Sequence, residues 1–202
     1  MRKLFILLFI SFATVVYAQE SSDANTIFSG SSELKGFGAY EMKLTQISDI
    51  TSLFIGASGG VTVNKIFMFG IAGYGLVSNP EIVESSTSTP LRLNGGYGGL
   101  LLGFNVFPRK VVHLSFPIVI GGGSMYLTDP FYFQDSDSEF TVEKSGFMVV
   151  EPGANLEFNV TRFFHLGMGA SYRYVQGLSM NSLTDEQLLG WAINLNLKFG
   201  SF

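Results

Sequence analysis

GWAINLNLKFGSF, from Gly190 to Phe202, ends the chain. Within it Trp191, Ile193, Leu195, Leu197 and Phe199 alternate with Ala192, Asn194, Asn196 and Lys198. Period two marks a strand whose two faces meet different surroundings. A half-buried strand of a soluble sandwich satisfies this pattern. So does a strand with lipid on one side and a filled or watery lumen on the other. The remainder of the chain decides between them.

Seven further runs of about ten residues show the same alternation, as membrane strands do. From Val112, the residues Val112, Leu114, Phe116, Ile118 and Ile120 form an outward set, with His113, Ser115, Pro117, Val119 and Gly121 inward. The next run opposes Val150, Pro152, Ala154, Leu156, Phe158 and Val160 to Glu151, Gly153, Asn155, Glu157 and Asn159. Another opposes Phe164, Leu166, Met168, Ala170, Tyr172 and Tyr174 to His165, Gly167, Gly169, Ser171 and Arg173. Earlier in the chain, Tyr40, Met42 and Leu44 flank the inward Glu41 and Lys43, and Leu53, Ile55, Ala57, Val61 and Val63 alternate with Gly56, Ser58, Gly60 and Thr62. In GGYGGLLLGFNVF, an inward Gly103 and Asn105 put Leu100, Leu102, Phe104 and Val106 outside. The run IFMFGIAGYGL from Ile66 is apolar on both faces, so its register stays open.

The links alternate as well. Those after the second, fourth and sixth runs are short: Asn64-Lys65, Pro108-Arg109-Lys110 and Thr161-Arg162. The links after the first, third, fifth and seventh are expected to be longer and polar, among them the segments from Ser78 and Thr128. Short turns at one end and long loops at the other are the plan of an outer-membrane barrel, with the turns in the periplasm. A soluble barrel would put its apolar set inside. Here charges and glycines share the face opposite Phe, Leu, Ile and Tyr. The fold expected is therefore all-β, an eight-stranded antiparallel up-and-down transmembrane β-barrel.

Composition agrees. The 202 residues include 24 Gly, 20 Phe and 8 Tyr but only 14% charged residues, where soluble domains carry about 25%. No cysteine is present, so neither a disulfide framework nor a thiolate metal site is available. MRKLFILLFISFATVVYAQ joins a basic start (Arg2, Lys3) to the apolar run from Leu4 to Val16 and a small residue before Gln19. That is a secretory signal peptide, residues 1–18, too short for a membrane anchor. Residues 19–32 read as a flexible periplasmic leader and 33–202 as the barrel. Cleavage after Ala18 leaves 10 basic against 16 acidic residues, a balance that excludes nucleic acid as a partner.

The eight runs and the terminal aromatic resemble the small eight-stranded outer-membrane barrels typified by the outer membrane protein A and X barrels. The stretch FMVVEPGANLEFNVTRFFHLGMGASYRYVQG, Phe147 to Gly177, is also similar to a family of outer-membrane β-barrel proteins of Bacteroidota. The resemblance implies the outer membrane of a Gram-negative bacterium, with its lipid and its barrel assembly machinery as partners. It brings no catalytic residues. In such barrels the terminal aromatic is read together with apolar residues at alternating upstream positions. Counting back from Phe202 gives Gly200, Lys198 and Asn196, the polar face. Counting from Phe199 gives Leu197, Leu195, Ile193 and Trp191, so these five are the expected assembly signal.

An eight-stranded lumen is just wide enough to be filled by side chains. The inward charges Glu41, Glu151 and Glu157 against Lys43, Arg173 and Lys198 are expected to form a balanced ion-pair network, because unpaired charge there is costly. His113 and His165 face each other across one intervening strand, about 9.5 Å for neighbours ~4.8 Å apart. That is long for a shared metal, so lumen hydrogen bonding is expected of them, with no metal and no cofactor. Both lie at the turn end, away from the rim where an enzymatic barrel would need its base. Asp135, Asp137 and Glu139 form an acidic loop without EF-hand spacing, interleaved with Phe131, Tyr132, Phe133 and Phe140. The expected function is non-enzymatic: structural or interactive, through the outer loops or as an accessory subunit beside a protein partner in the membrane. A narrow porin-like channel comes second, and a lipid-modifying or proteolytic enzyme third.

Overall fold

The computed structural model describes residues 33–83, 90–128 and 141–200. The signal peptide and leader expected in residues 1–32 lie outside the described residues, as do the acidic aromatic segment 129–140 and Phe202. The elements, in chain order, are β1 (Leu34–Ile47), β2 (Ile50–Val63), β3 (Phe67–Leu76), β4 (Glu81–Val83), β5 (Pro90–Val106), β6 (Val112–Thr128), β7 (Thr141–Asn159), β8 (Phe164–Gln176), α1 (Asp185–Leu188) and β9 (Gly190–Gly200).

Eight of the strands close into an antiparallel barrel. Each pairs with its neighbours in sequence, and the circle is completed by β1 against β9 and by β3 against β5. Strand β4 is a short rung on β5, from Glu81↔Arg92 to Val83↔Pro90, beyond the last β3 pair at Gly75↔Gly96. Where all eight strands overlap, closure removes the free edges, so backbone N–H and C=O groups of that part of the wall are satisfied within it. Two places are thinner. The β6–β7 ladder passes from Ser115↔Asn155 to Ile118↔Pro152 without pairing Phe116 and Pro117, and the β7–β8 ladder passes from Val150↔Tyr174 to Gly153↔Ser171 without pairing Glu151 and Pro152, since proline has no N–H to give.

In each barrel strand the face read as outward is the exposed one. Trp191 and Ile193 are 70% and 68% exposed, while Ala192, Asn194, Asn196 and Lys198 are buried. Strand β3 resolves to Met68, Ala72, Tyr74 and Leu76 inside and Phe67, Phe69 and Ile71 outside. The link after the first run is not long and polar. Alternation continues through Thr45 and Ile47, and Ser48 and Asp49 turn the chain alone with φ of 49° and 65°, the geometry of a tight hairpin. Strands β5, β6 and β7 are also longer than ten residues, at 17, 17 and 19. They continue past the ends of their neighbours on the side away from the termini.

That side, the loop end, holds most of the apolar core. Ile47, Leu93, Met125, Leu127, Leu183 and Leu188 are fully buried there and belong to one cluster with Phe54, Val149 and Val175. Leu183 and Leu188 come from the connection between β8 and β9, which folds inward around α1. Thr184 and Gln187 form a capping box at its start. The Asp185 carboxylate accepts from the amides of Gly177 and Leu178, and the Ser48 amide donates to the Gln187 carbonyl at 3.2 Å. The connection is thereby fastened as an apolar stopper.

So narrow a wall needs glycine where strands crowd. Gly99 and Gly121 face each other across β5 and β6, and a Cβ on Gly121 would collide with the Gly98 carbonyl oxygen and the Gly99 Cα. On the outside, Gly73 has open space around the same position. Gly121→Ala is expected to lower stability by about 1–3 kcal/mol and Gly73→Ala to leave it nearly unchanged. Urea titration of the refolded barrel, followed by tryptophan fluorescence and heat-modifiable gel migration, measures both.

Candidate functional site

The lumen carries two polar tiers. In the middle tier Lys43 of β1 and Glu151 of β7 meet across the barrel, with Lys43 Nζ donating to Glu151 Oε1 at 2.7 Å. Ser171 Oγ donates to the same oxygen at 2.6 Å, and the Tyr97 hydroxyl donates to Oε2. Lys43 Nζ also sits 3.5 Å from the centroid of the Tyr74 ring, a cation–π contact strengthened by exclusion of water. Tyr74 in turn donates to Glu41 Oε2 at 2.9 Å, and Ser58 donates to Glu41 Oε1 at 2.7 Å. Every charge in this tier has directed partners, the condition under which a buried ion is tolerable.

Arg173 sits above that tier, 1% exposed. Its Nε donates to the Leu188 carbonyl at 2.9 Å and its guanidinium lies 4.9 Å from the Phe54 ring centroid. Thr45 Oγ1 accepts from Nη2 at 3.4 Å. The arginine is thus the peg that holds the stopper down, using a carbonyl exposed at the end of the short helix α1 and an aromatic face rather than a carboxylate.

The second tier lies at the terminal end, where β1 begins and β9 finishes. Register assembles it. His113 of β6 is opposite Glu157 of β7, and His165 of β8 is opposite Lys198 of β9. His113 Nε2 lies 3.1 Å from Glu157 Oε2, His165 Nδ1 lies 3.9 Å from the same oxygen, and Lys198 Nζ donates to Oε1 at 2.5 Å. The two imidazoles meet edge to face with centroids 5.6 Å apart. All four side chains are buried. Between the tiers remains a cavity of about 30 Å³ bordered by Ser115, Asn155, Asn196, Glu157 and Lys198, room for about two waters.

One sequence expectation is refined and one needs correction. The balanced network expected of the six inward charges contains two ion pairs among those six. Lys43 pairs with Glu151 and Lys198 with Glu157, whereas Glu41 is held by hydroxyls and Arg173 by a carbonyl and a ring. Hydroxyl and carbonyl dipoles nearer at hand replace a charge that would have to be reached across the lumen. The histidines are also far closer than strand spacing implies, because inward side chains of a small barrel converge on its axis and Glu157 on the intervening strand draws both rings together. The tyrosines Tyr74 and Tyr97 were not singled out in the sequence. Tyr97 shares parity with the inward Asn105 and was legible on that ground. Tyr74 lies in the run whose faces are both apolar, and no signal marks it.

The outer face of β9 presents Trp191, Ile193, Leu195 and Leu197 as an exposed row ending at Phe199, which contacts the Phe163 and Phe164 rings at centroid distances of 6.1 and 5.1 Å. Trp191 meets Tyr172 edge to face at 5.2 Å. Two aromatic clusters therefore stand eight residues apart on one strand. That is about 26 Å along it at ~3.3 Å per residue, or roughly 20 Å of height for a strand tilted 35–45°.

Comparison with solved structures agrees with this geometry. Neisserial surface protein A superposes with a TM-score of 0.55 at 10% identity, covering 84% of this chain and 99% of that one. Ail, the attachment invasion locus protein of Yersinia pestis solved with the heparin analogue sucrose octasulfate, reaches 0.47 at 15% identity over 85% and 99% of the chains. The outer membrane protein OprG from Pseudomonas aeruginosa reaches 0.45 at 8% over 83% and 95%. No protein-family model matches this chain, nor does any curated protein sequence. What the likeness to Neisserial surface protein A establishes is the fold, a small closed eight-stranded antiparallel barrel.

The middle tier predicts strong coupling. Lys43→Met strands the Glu151 charge and is expected to cost about 3–5 kcal/mol. Adding Glu151→Gln to it is expected to recover most of that loss, because the charge stranded by the first substitution is then gone. Urea denaturation of the two single variants and the double variant measures the coupling.

Proposed function

We propose that this chain is a non-enzymatic outer-membrane barrel of a Gram-negative bacterium, embedded by its apolar outer face, with a lumen that is filled rather than conducting. The observation that carries this reading is the occupied interior. Two polar tiers leave a cavity of about 30 Å³, and the fully buried Leu183 and Leu188 close the loop end above them. A conduit for solutes needs a continuous wet path, and the side chains that occupy the interior argue against one. The aromatic clusters at the two ends of β9 support the membrane placement, since outer-membrane barrels carry such girdles on either side of an apolar band ~25 Å tall. The wording of residues 147–177 supports a place among barrels of Bacteroidota. With the lumen closed, the work falls to the loop end, as a contact surface for a protein partner or as an accessory piece of a larger membrane assembly.

Single-channel recording in planar bilayers, on protein shown to be folded by heat-modifiable migration, tests this reading. Silence across many insertions is expected. Reproducible conductance steps would overturn it and install the porin-like alternative.

We further propose that the outward row Trp191, Ile193, Leu195, Leu197 and Phe199 is what the barrel assembly machinery reads. Phe199→Ala is expected to cut the amount of inserted barrel in cells severalfold while the same variant still refolds in detergent, where no machinery acts. Quantifying the heat-modifiable band in both settings checks it; equal losses in the two would assign Phe199 a purely structural part.

A further inference from the structure

We propose that His113, Glu157 and His165 form a binding site for one divalent transition-metal ion of the zinc class at the terminal end of the lumen. Each of the three offers one ligand atom, an imidazole nitrogen or a carboxylate oxygen, and these atoms all lie within 4.8 Å of one another. Two imidazoles and one carboxylate oxygen are the donor set of many zinc sites that keep a fourth position for water. Ligand atoms around a tetrahedral zinc with bonds of 2.0–2.1 Å stand about 3.3 Å apart. The His113–Glu157 separation of 3.1 Å already has that spacing, and the His165–Glu157 separation of 3.9 Å needs a small ring rotation.

The surroundings suit an ion. The ligands come from three consecutive strands, β6, β7 and β8, so the backbone ladder fixes their relative heights. Lys198 holds the other carboxylate oxygen at 2.5 Å, which leaves Oε2 as the oxygen nearest the two imidazoles. The cavity beside Glu157, where Ser115 Oγ, Asn155 Oδ1 and Asn196 Oδ1 are buried without a protein hydrogen-bond partner among the described residues, leaves room for the fourth, water ligand. His113 and His165 are each the second residue of their strand, so the ion has a short path from the terminal rim.

Lys198 also sets the affinity. Its ammonium lies beside the position of the incoming cation, and one carboxylate cannot neutralise both. Removing that charge is therefore expected to tighten binding, which a purely structural cluster would not do.

The experiment is titration of untagged, refolded barrel with Co2+, whose visible ligand-field bands report donor set and coordination number. One equivalent is expected to give the bands of a four- or five-coordinate ion, with Zn2+ displacing it. Glu157→Gln and His165→Ala are expected to abolish the bands. His165→Ala is the decisive variant, because it leaves the His113–Glu157 contact and the Lys198–Glu157 pair in place. Lys198→Met is expected to lower the dissociation constant by roughly tenfold or more, from the removal of a like charge a few ångströms away. Folded wild-type protein without bands, or His165→Ala binding as well as wild type, would overturn the proposal. Neither result depends on whether the barrel conducts.

Discussion

Closure is the constraint on which everything else in this molecule rests. When eight strands form a circle, every second side chain points at an axis only a few ångströms away. There is no bulk water to solvate what arrives there, and no edge at which the sheet can relax. The inner face must therefore mix large side chains with none at all. Tyr74, Tyr97, Phe54 and Arg173 fill the space, and paired glycines such as Gly99 and Gly121 let the wall curve past them. The same constraint explains why two side chains two strands apart, His113 and His165, end up in ring contact.

Convergence also decides how the charges are handled. Glu151 receives an ammonium and two hydroxyls, a fuller set than a surface carboxylate would need. Arg173 is spent differently. Its partner is the carbonyl that α1 leaves at Leu188, so the charge that would be costly in the lumen becomes the means of fastening the stopper over it. The short helix and its capping box follow from that: four helical residues have no independent stability, and they persist because Leu183 and Leu188 are buried and the backbone is tied to Ser48 and Arg173.

The architecture was legible in the sequence because a barrel strand announces itself twice, by alternation and by the reversal of what is polar and what is apolar. Trp191 to Lys198 displays both. Where one signal was missing, the reading stopped. The run from Ile66 is apolar on both faces because its inner side carries Met68, Ala72 and Leu76 rather than charges, so only the ladder with β2 and β5 fixes its register. The first link is shorter than its neighbours suggest for a related reason. Ile47 and Ile50 end β1 and begin β2, one buried in the core and the other exposed, and nothing in the four residues from Ile47 to Ile50 names the tight turn they make. Among the site residues, identity and facing were readable, but pairing was not. Which carboxylate meets which cation depends on strand tilt and register across the whole circle, and these are properties of the closed barrel rather than of any one run.

The two tiers differ in a way that separates stability from function. In the middle tier each oxygen of Glu151 and Glu41 accepts from a fixed donor, and removing any one of these donors costs a directed bond to a carboxylate. Such a network has one arrangement and serves to hold the wall. The terminal tier is looser: one carboxylate is shared by Lys198 and His113 with a second imidazole close by, while Ser115, Asn155 and Asn196 around it keep buried oxygens without hydrogen-bond partners among the described residues. A fold that needed only neutrality at this point would be served by Lys198 and Glu157 alone. Two buried histidines aimed at the same oxygen add desolvation cost without adding needed charge balance. That surplus is what a cation of suitable size would use, and it sets this end of the lumen apart from the rest of the barrel.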